Sequence, residues 1–573
     1  MTTVGEGISL IIPAHNEGRI IYKMAVEAVQ VLDELDHEYE IIIVDDGSTD
    51  DTPGEIARVT SEFKSIKTVT LAENQGKGNA LRRGFEVSTN GLVLFLDADL
   101  DLHPSNIGVL LTEMKRSGAD IVIGSKRHPD SRLNYPWHRR LYSSIYYLLV
   151  LILFRLPIKD TQTGIKVFRR DALTRSFPRL VCKRYTLDLE LLAVAHIMGY
   201  SVSEAPIDLT FQREFGHIKF ADVRHIIVDT LAIFYRLHIL RYYESPLLPA
   251  IDTEPKISIV IPTRVLDPLT VECISKCNEL NYSNYDIRLI SDYFAKVQME
   301  QTGSRVIPSG PVGPAVKRNM GINDSNAEIV AFIDSDAWPE QDWLRNAVPY
   351  FEDENVAAVC GPAVTPFKDN RKQLASGLIY SSFLVSGNTT YRYTYHALRE
   401  VDDYPSCNLI VRRSDLVKAG GFPEEYWPGE DTVLCLKLTK ELGKKIMYVP
   451  NVVVNHHRRP IYRAHLRQVY SYGLHRGFFV RKFPETSRRL QYFVPSLFVL
   501  ALLVGFALSF IDSIVLYAYL SFLGLYLISA LLSSVKSLNV LDDLLVFPGI
   551  VATNVTYGIA FMIGLLSRRI ENK

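Results

Sequence analysis

Three aspartates close an apolar run at residues 93–104, VLFLDADLDLHP, with a spacing that suits a bound cation. Side chains alternate between the two faces of a strand, so Asp97, Asp99 and Asp101 project the same way if the strand continues. Neighbouring carboxylates repel one another unless a cation neutralises them, and oxygen-only ligands suit Mg²⁺ or Mn²⁺. A solvated turn is the alternative for a single motif. We expect a divalent ion at Asp97 and Asp99, with Asp101 as a candidate third ligand.

The same acidic pattern occurs a second time in residues 329–344, IVAFIDSDAWPEQDWL, where Asp334 and Asp336 follow an apolar run. Four other stretches also recur in the same order, at an offset of about 240 residues; the first pair is ISLIIPAHNE (8–17) and ISIVIPTRV (257–265). Such a recurrence predicts a duplicated domain. It also makes Asp334 and Asp336 a second predicted metal site.

The repeat sets the expected domain boundaries in a chain of 573 residues, which is too long for one ordinary domain. We expect a first domain over 1–245 and a second over 257–490. The segment between them, 246–256, contains three prolines and is predicted to be a linker.

Each copy alternates short Val/Ile-rich runs with helical patterns, as in EIIIVDD (40–46). This alternation predicts an α/β fold of parallel strands joined by crossover helices. In such sheets the ligand crevice lies beyond the carboxyl ends of the strands. We therefore expect Asp45 and Asp46 to meet Asp97 and Asp99 at one crevice.

The C-terminal region, 491–573, is predicted to lie in a membrane. Three apolar stretches, 492–511, 513–535 and 544–566, are each long enough to cross a bilayer core, for which roughly 20 residues suffice. Basic residues dominate the segment just before the first stretch, which favours its cytoplasmic side. We expect a multi-pass protein of the cell membrane with its catalytic domains on the cytoplasmic side.

Three further sequence features concern the membrane topology and the possible partners of the chain. Three spans place the basic end SRRIENK outside, against the positive-inside tendency, so 544–566 is also interpretable as re-entrant or interfacial. The N-terminal MTTVGEGISLIIP lacks the basic and apolar regions of a secretory signal. A net charge of −1 provides no basic field for nucleic acid.

Several motifs of the first copy, taken together, resemble family-2 inverting glycosyltransferases of the GT-A fold. They are IIPAHNE, IIIVDDGSTDDT, NQGKG, FLDADLDLHP, GSKR and DTQTGIKVFRR. Copy 1 is most similar to dolichyl- or polyprenyl-phosphate mannose or glucose synthases. The resemblance implies two tandem GT-A (Rossmann-like) domains, a nucleotide-diphosphate sugar as donor, and polyprenyl or dolichyl phosphate as acceptor.

The resemblance also assigns roles to residues of copy 1. Those that match the family's nucleoside pocket are Pro13, Asn16, Glu17, Asp45 and Asp46. Asp97 and Asp99 match its metal–diphosphate site. Arg127 and Arg169 would hold phosphate groups of acceptor and donor, to which arginine can bind with two parallel hydrogen bonds. Lys77 is a further candidate for a phosphate contact, and solvated surface charge is the alternative for all three basic residues.

Copy 1 has no clear catalytic base, which fits a phosphate acceptor. A lipid phosphate is already ionised at neutral pH and attacks without losing a proton. By resemblance, Asp188 and Glu190 in YTLDLEL lie near the acceptor. They either position it or begin a helix, where acids are favoured by the helix dipole.

Copy 2 contains WPGEDTVLCLKL (427–438), which resembles the motif of family members that glycosylate hydroxyls. A hydroxyl must lose its proton as it attacks, and a positioned carboxylate is the usual base. Asp431 is the candidate, with Glu430 beside it, and helix capping is the alternative.

The nucleoside pocket of copy 2 is eroded, since Asp292 alone remains of its second acidic run as a substrate-binding candidate. His456 and His457 follow each other, and adjacent side chains on a strand point oppositely. They are therefore not predicted to bind a metal together.

These observations predict a membrane-anchored tandem glycosyltransferase. Copy 1 would transfer hexose to polyprenyl phosphate, and copy 2 would transfer a sugar to a hydroxyl of a lipid-linked or surface glycan. Two alternatives stay open for an enzyme: both copies extend glycans on hydroxyls, or copy 2 is an inactive scaffold. A sugar- or lipid-binding scaffold without activity is the non-enzymatic alternative.

Overall fold

A computed structural model of the protein describes residues 7–35, 37–134, 137–182, 186–210, 220–244, 254–293, 304–535 and 540–570. The chain forms two compact units, Met1–Glu244 and Ser245–Lys573. Most of the predicted linker lies outside the described residues. The predicted boundaries of the domains and of a separate membrane region otherwise stay predictions.

Unit 1 alternates strands and helices along most of its length. Its strands are β1 (Ile8–Ala14), β2 (Tyr39–Asp45), β3 (Ile66–Thr70), β4 (Leu92–Phe95), β5 (Ile121–Gly124), β6 (Arg132–Asn134), β7 (Lys166–Arg169), β8 (Val202–Ala205) and β9 (Asp208–Thr210). Its helices are α1 (Ile21–Asp33), α2 (Thr52–Glu62), α3 (Lys77–Val87), α4 (Asn106–Ser117), α5 (Trp137–Phe154), α6 (Arg170–Ser176), α7 (Leu187–Ile197) and α8 (Phe220–Phe234).

The central sheet of unit 1 has the strand order β3-β2-β1-β4-β7-β5-β8. Strands β1 to β4 are parallel, and the run Ile41–Val44 is completely buried, as expected for a strand covered on both faces. The predicted α/β fold is confirmed, and the sheet is mixed, because β7 runs antiparallel to both β4 and β5. This reversal places Lys166 beside Phe95 and Arg169 beside Leu92.

Unit 2 repeats this arrangement. Its strands are β10 (Ile257–Thr263), β11 (Tyr285–Ser291), β12 (Arg305–Pro308), β13 (Ile329–Ile333), β14 (Ala337–Pro339), β15 (Val356–Cys360), β16 (Ala363–Val364), β17 (Arg399–Val401), β18 (Asn408–Arg412), β19 (Lys445–Tyr448) and β20 (Val454–His456). Its helices are α9 (Pro268–Cys277), α10 (Pro314–Asp324), α11 (Trp343–Ala347), α12 (Arg371–Tyr380), α13 (Phe383–Ser386), α14 (Arg413–Lys418), α15 (Glu430–Leu436), α16 (Arg463–Lys482), α17 (Pro484–Ser487), α18 (Leu490–Leu508), α19 (Ser513–Ser534) and α20 (Val540–Leu566).

The sheet of unit 2 has the order β12-β11-β10-β13-β18-β15-β19-β17, with β18 antiparallel to β13 and β15. Its first seven strands therefore match the seven strands of unit 1. Corresponding glycines let α3 of unit 1 and α10 of unit 2 approach the sheet. A Cβ on Gly84 would lie 2.4 Å from a methyl of Ile11, and one on Gly321 would lie 2.5 Å from a methyl of Val260.

Three C-terminal helices are long and apolar enough to cross a membrane: Leu490–Leu508, Ser513–Ser534 and Asp543–Leu566. They differ in burial, since only 11% and 6% of the apolar windows of α18 and α19 are buried, but 44% of that of α20. Helix α20 packs along α16 because glycines remove the side chains between them. A Cβ on Gly477 would lie 2.1 Å from the carbonyl oxygen of Phe561, and one on Gly564 would lie 1.9 Å from that of Leu474.

Candidate active sites

The predicted metal ligands of unit 1 lie at the carboxyl edge of the sheet, directly after β4. Lys77, the first residue of α3, places its Nζ 2.6 Å from Asp97 Oδ1. The backbone of Gly164 lies against the same carboxylate, where an added Cβ would be 2.1 Å from Asp97 Oδ2. The carboxylate of Asp97 is therefore fixed by a cation on one side and by a glycine on the other.

Asp99 is electrostatically strained, because burial and the neighbouring Asp97 and Asp101 raise its pKa to about 6. The prediction that Asp101 is a third ligand is not supported. Among the described residues, the one group of three potential ligands within 4.8 Å of one another is Asp334, Asp336 and His456. The backbone of Asp101 instead accepts a hydrogen bond from the N–H of Thr210 at 3.1 Å, which ties this loop to β9.

The residues predicted to form the nucleoside pocket come together in the turns after β1 and β2. Asn16 has a left-handed φ of 58°, and its side-chain oxygen accepts the N–H of Thr49 at 2.8 Å. The N–H of Glu17 donates to the Thr52 hydroxyl at 2.7 Å. Pro13 lies within β1, two residues before these turns.

The two carboxylates at the end of β2 hold neighbouring loops. Asp45 accepts the N–H of Ser48 at 3.0 Å. Asp46 accepts the N–H groups of Gln75 and Gly76 at 2.7 and 2.8 Å. Both carboxylates are buried, so their first effect is to shape the crevice next to Asp97.

Asp188, at the start of α7, forms ion pairs with two lysines. Lys166 Nζ lies 2.7 Å from Asp188 Oδ1, and Lys77 Nζ lies 3.8 Å from Asp188 Oδ2. Burial opposes the charge, but Lys166 and Lys77 lower the pKa of Asp188 below its ordinary value. A carboxylate in this state is a weak proton acceptor. Glu190, also predicted to be near the acceptor, instead holds Arg236 at 3.0 Å in the interior.

The two arginines predicted to bind phosphate lie at different places. Arg127 follows β5 at the acidic edge, stacks on the ring of Tyr147 at 4.5 Å and donates to the Ser144 hydroxyl at 3.2 Å. Arg169 of β7 lies across from Leu92, the first residue of β4, in the antiparallel strand pair. Because β7 is antiparallel, Arg169 lies at the opposite edge of the sheet, about 10 Å along β4 from its acidic end. Its predicted contact with the donor phosphate at this site is therefore wrong.

Unit 2 gathers Asp334, Asp336 and His456 at the corresponding edge, after β13. Strand β20 pairs with β14, which brings His456 beside Ala337. His456 Nε2 lies 3.2 Å from Asp336 Oδ1. Although burial opposes protonation, Asp336 raises the pKa of His456 to about 10. The adjacent His457 points away and contacts Glu272 at 3.1 Å, as alternation on a strand predicts.

Arg318 of α10 forms ion pairs with two acidic residues of the unit 2 site. Its guanidinium lies 2.8 Å from Asp334 Oδ1 and 2.9 Å from Glu430 Oε1. Burial and the neighbouring Asp431 raise the pKa of Glu430 to about 7, against the effect of Arg318. Lys77 makes the equivalent bridge in unit 1, between Asp97 and Asp188.

Asp431 is the second residue of α15, as Asp188 is the second residue of α7. Its carboxylate accepts the N–H groups of Thr432 at 2.8 Å and Ser406 at 3.3 Å. Burial and the nearby Asp403 raise the pKa of Asp431, the opposite of the shift at Asp188. Asp292, the predicted substrate contact, is paired with the buried Lys317.

The sequence-based predictions missed Lys166, Arg318 and His456. Lys166 and Arg318 lie in recognised motifs, GIKVFRR and AVKRNMGI, but their side-chain direction depends on the antiparallel strand and on the helix phase. Alternation on a strand argues against His456 and His457 as joint ligands, but not against His456 alone. A single histidine at a strand end, beside a D-x-D pair, was the available signal.

Comparisons with known proteins agree with the geometry. Residues 9–177 and 258–418 match the family described as Glycosyl transferase family 2. A dolichyl-phosphate beta-glucosyltransferase of Trichomonas vaginalis is 31% identical over 245 residues, which cover 40% of this chain and 75% of the relative. The Saccharomyces cerevisiae dolichyl-phosphate beta-glucosyltransferase is 31% identical over 219 residues, 35% of this chain and 66% of the relative. These relatives support the resemblance of copy 1.

Solved structures also match. One is glucosyl-3-phosphoglycerate synthase from Mycobacterium tuberculosis in complex with Mn²⁺, uridine diphosphate and glucosyl-3-phosphoglycerate. It is 21% identical and covers 40% of this chain and 80% of that chain, at a TM-score of 0.33. The two family segments lie one in each unit and cover more than half of the chain. The chain is a glycosyltransferase that belongs to glycosyl transferase family 2.

Proposed function

We propose that unit 1 transfers hexose from a nucleotide-diphosphate sugar to polyprenyl or dolichyl phosphate, and that unit 2 transfers a sugar to a hydroxyl. The observation that carries the proposal is the contrast between two acids at equivalent helix positions. The pKa of Asp188 is lowered and that of Asp431 is raised. One acid is suited to holding cations, and the other is suited to accepting a proton.

The acceptor of unit 1 follows from this contrast. Asp188 is buried between Lys77 and Lys166, so accepting a proton would break two ion pairs. An acceptor that attacks through Asp188 as base is therefore disfavoured. A phosphate monoester is already ionised and needs no base.

The surroundings of Arg127 support an amphiphilic phosphate. Arg127 stacks on Tyr147 of α5, and the same helix exposes Ile145 and Ile152, at 58% and 66%. Helix α8, which meets α5 through the hydroxyls of Tyr146 and Thr230, exposes further apolar side chains. A cation at the foot of an exposed apolar helix pair suits a phosphate carried on a lipid.

Unit 2 has the features of a hydroxyl transferase. Asp431 is only partly buried, and its raised pKa makes it a stronger proton acceptor than an ordinary carboxylate. It would take the proton of the hydroxyl as the hydroxyl oxygen attacks the anomeric carbon of the donor sugar and displaces the nucleoside diphosphate with inversion. Glu430 is paired with Arg318 and positions that arginine beside Asp334.

The donor sets fit a divalent ion, Mg²⁺ or Mn²⁺. Asp334, Asp336 and His456 offer two carboxylates and one imidazole within 4.8 Å, and Asp97 and Asp99 offer two carboxylates in unit 1. Such an ion, when bound, neutralises charge on the departing diphosphate. Lys77 and Arg318 already contact the first aspartate of each pair, so they lie where they can stabilise the same negative charge.

Membrane anchoring is proposed for α18 and α19, whose side chains are mostly exposed and apolar. Helix α20 is better suited to pack against α16 than to cross a bilayer. It runs parallel to α16 from the contact of Tyr462 with Leu545 to that of Gly477 with Phe561. Helix α16 carries charged residues, including Arg476, which is paired with Asp403 at 3.0 Å, and such residues are costly inside a membrane.

The test of this function uses membranes that contain the full-length protein. They are incubated with polyprenyl phosphate and a panel of labelled nucleotide sugars, with and without EDTA, and the lipids are then treated with mild acid. We expect an EDTA-sensitive, acid-labile lipid-linked sugar. A protein that binds these compounds without forming any sugar product would contradict the proposal.

A further inference from the structure

A cavity of about 570 Å³ lies in unit 2 outside both sets of metal ligands. It is bounded by residues 388–392, by β17 with the following Asp402 and Asp403, and by residues 489–494 at the start of α18. Its size falls within the range of small-molecule sites in proteins.

The charges that line this cavity are largely neutralised within the protein. Arg489 holds both carboxylate oxygens of Asp402, one of them at 3.0 Å. Arg392 donates to the backbone oxygen of Asp403 at 2.6 Å and lies 3.3 Å from its carboxylate. Arginines and carboxylates that are paired with one another keep hydrogen-bonding atoms available to the neutral hydroxyls of a ligand.

Aromatic and amide groups complete the lining. Arg399 stacks on the ring of Tyr391 at 5.0 Å, and Arg476 stacks on the ring of Tyr492 at 4.7 Å. Asn388 and Glu400 are exposed at the cavity. Planar polar side chains beside tyrosine rings are the chemistry that recognises a sugar, whose face is apolar and whose rim carries hydroxyls.

The cavity lies next to a proposed membrane helix on one side and next to the neighbours of the candidate base on the other. Leu490 and Val494, which are 76% and 53% exposed, border it at the foot of α18, the first proposed membrane helix. On the inner side, Asp403 Oδ1 accepts the hydroxyl of Thr432 at 3.0 Å, and Thr432 follows Asp431. The cavity thus lies between an apolar helix and the residues that surround the base.

We propose that this cavity binds the sugar headgroup of a hexosyl prenyl phosphate, with the prenyl chain along α18. This inference rests on the proposed function, in which unit 1 forms a lipid of that class. The site would hold the acceptor of unit 2 through the hydroxyls of its sugar that do not react, and this binding energy would orient the hydroxyl that attacks.

The test is photocross-linking of the full-length protein in lipid nanodiscs. Val494 is replaced by the photoreactive p-benzoyl-phenylalanine, and tritiated farnesyl phosphate glucose is the probe. We expect a cross-link that unlabelled probe displaces at least about tenfold better than farnesyl phosphate or phosphatidylglycerol does, since sites that hydrogen-bond hydroxyls discriminate strongly against analogues without them. Equal displacement by either sugar-free lipid would overturn the proposal.

Two controls sharpen this result. The same photoreactive residue at Leu503, which is 64% exposed farther along α18, should cross-link lipids without preference for sugar. Glu400→Gln should weaken the sugar-selective cross-link at position 494, whereas Glu352→Gln, at an exposed acid outside the cavity, should leave it unchanged. Selective cross-linking by a protein whose unit 2 transfers no sugar would retain the site and refute the transferase role of unit 2.

Discussion

At the scale of single residues, the two halves of the chain differ most at the acid that begins α7 or α15. Asp188 is neutralised by lysines, whereas Asp431 has no such direct lysine contact among the described residues and lies near Asp403. The first aspartate of each D-x-D pair is held similarly in both halves, by Lys77 or Arg318. The two halves thus share a cation beside the first aspartate and differ in the environment of the second acid, as the two proposed kinds of acceptor require.

Asp188→Asn should lower the stability of unit 1, because it leaves the buried Lys166 without its carboxylate partner. Breaking a buried ion pair costs about 3 kcal/mol. The folded-state pKa of Asp188 is lowered, so its stabilisation is present above the unfolded pKa and is lost as the pH falls through the folded pKa. Thermal unfolding at neutral and acidic pH measures this effect, and the difference between variant and wild type should shrink in acid.

The pH–rate profile of lipid-sugar formation provides a second readout for the same variant. If Asp188 only holds the lysines, residual activity should keep the shape of the wild-type profile. Loss of an ionisation limb in Asp188→Asn would instead identify Asp188 as a base in unit 1.

His456→Ala should remove a ligand from the metal site of unit 2. In a titration with Mn²⁺ followed by electron paramagnetic resonance, the affinity of one site should fall at least about tenfold, since even loss of a residue that orients a metal ligand costs that much. His457→Ala is the matched control, because that ring contacts Glu272 and points away from Asp336. Equal losses in both variants would contradict the assignment of His456.

At the scale of elements, the reversed strand decides which basic residues reach each site. Motif resemblance predicted the acidic strand ends and the turns around Asn16 and Asp45 without knowledge of strand direction. It failed for Arg169, because a residue four positions along an antiparallel strand lies at the other edge of the sheet. It could not find Arg318 either, since a helix side chain reaches a site only at the correct rotation about the helix axis.

The C-terminal helices illustrate the same limit. Length and hydropathy predicted three similar spans, and all three form helices of suitable length. Composition alone did not reveal that Gly473 and Gly477 of α16 let α20 pack against its backbone, because this requires knowledge of the partner helix.

The proposed arrangement of these helices predicts the location of the C-terminus. If α18 and α19 cross the membrane and α20 does not, Arg569 lies on the same side as unit 2 and Phe510, between α18 and α19, lies on the other. Phe510→Cys and Arg569→Cys are labelled with a membrane-impermeant maleimide in sealed vesicles of known orientation. We expect the two cysteines to react from opposite sides.

The chain without an introduced cysteine is the control, since its cysteines are all free and Cys182 is partly exposed. Reaction of both introduced cysteines from the side of unit 2 would refute membrane crossing by α18 and α19. Reaction of both from the opposite side would indicate that α20 also crosses.

At the scale of the whole molecule, we propose that the duplicated fold carries two active sites, one for an acceptor that is already ionised and one for an acceptor that must lose a proton. In unit 1 the acceptor is proposed to arrive ionised, and in unit 2 it is proposed to be deprotonated by Asp431. Both acceptors are proposed to be held at a lipid surface, at the exposed face of α5 and α8 or at the foot of α18. The order of reactions that follows is lipid-linked hexose first and a further sugar second.

The most direct measurement inactivates one half at a time and follows the lipid products. Membranes with wild-type protein, Asp99→Asn or Asp431→Asn are incubated with polyprenyl phosphate and labelled nucleotide sugar, and the lipids are separated before and after mild acid. We predict that Asp99→Asn abolishes the acid-labile monosaccharide lipid, and that Asp431→Asn keeps this lipid but blocks its extension. Unchanged monosaccharide lipid in Asp99→Asn would contradict the assignment of the first half as a lipid-phosphate glycosyltransferase.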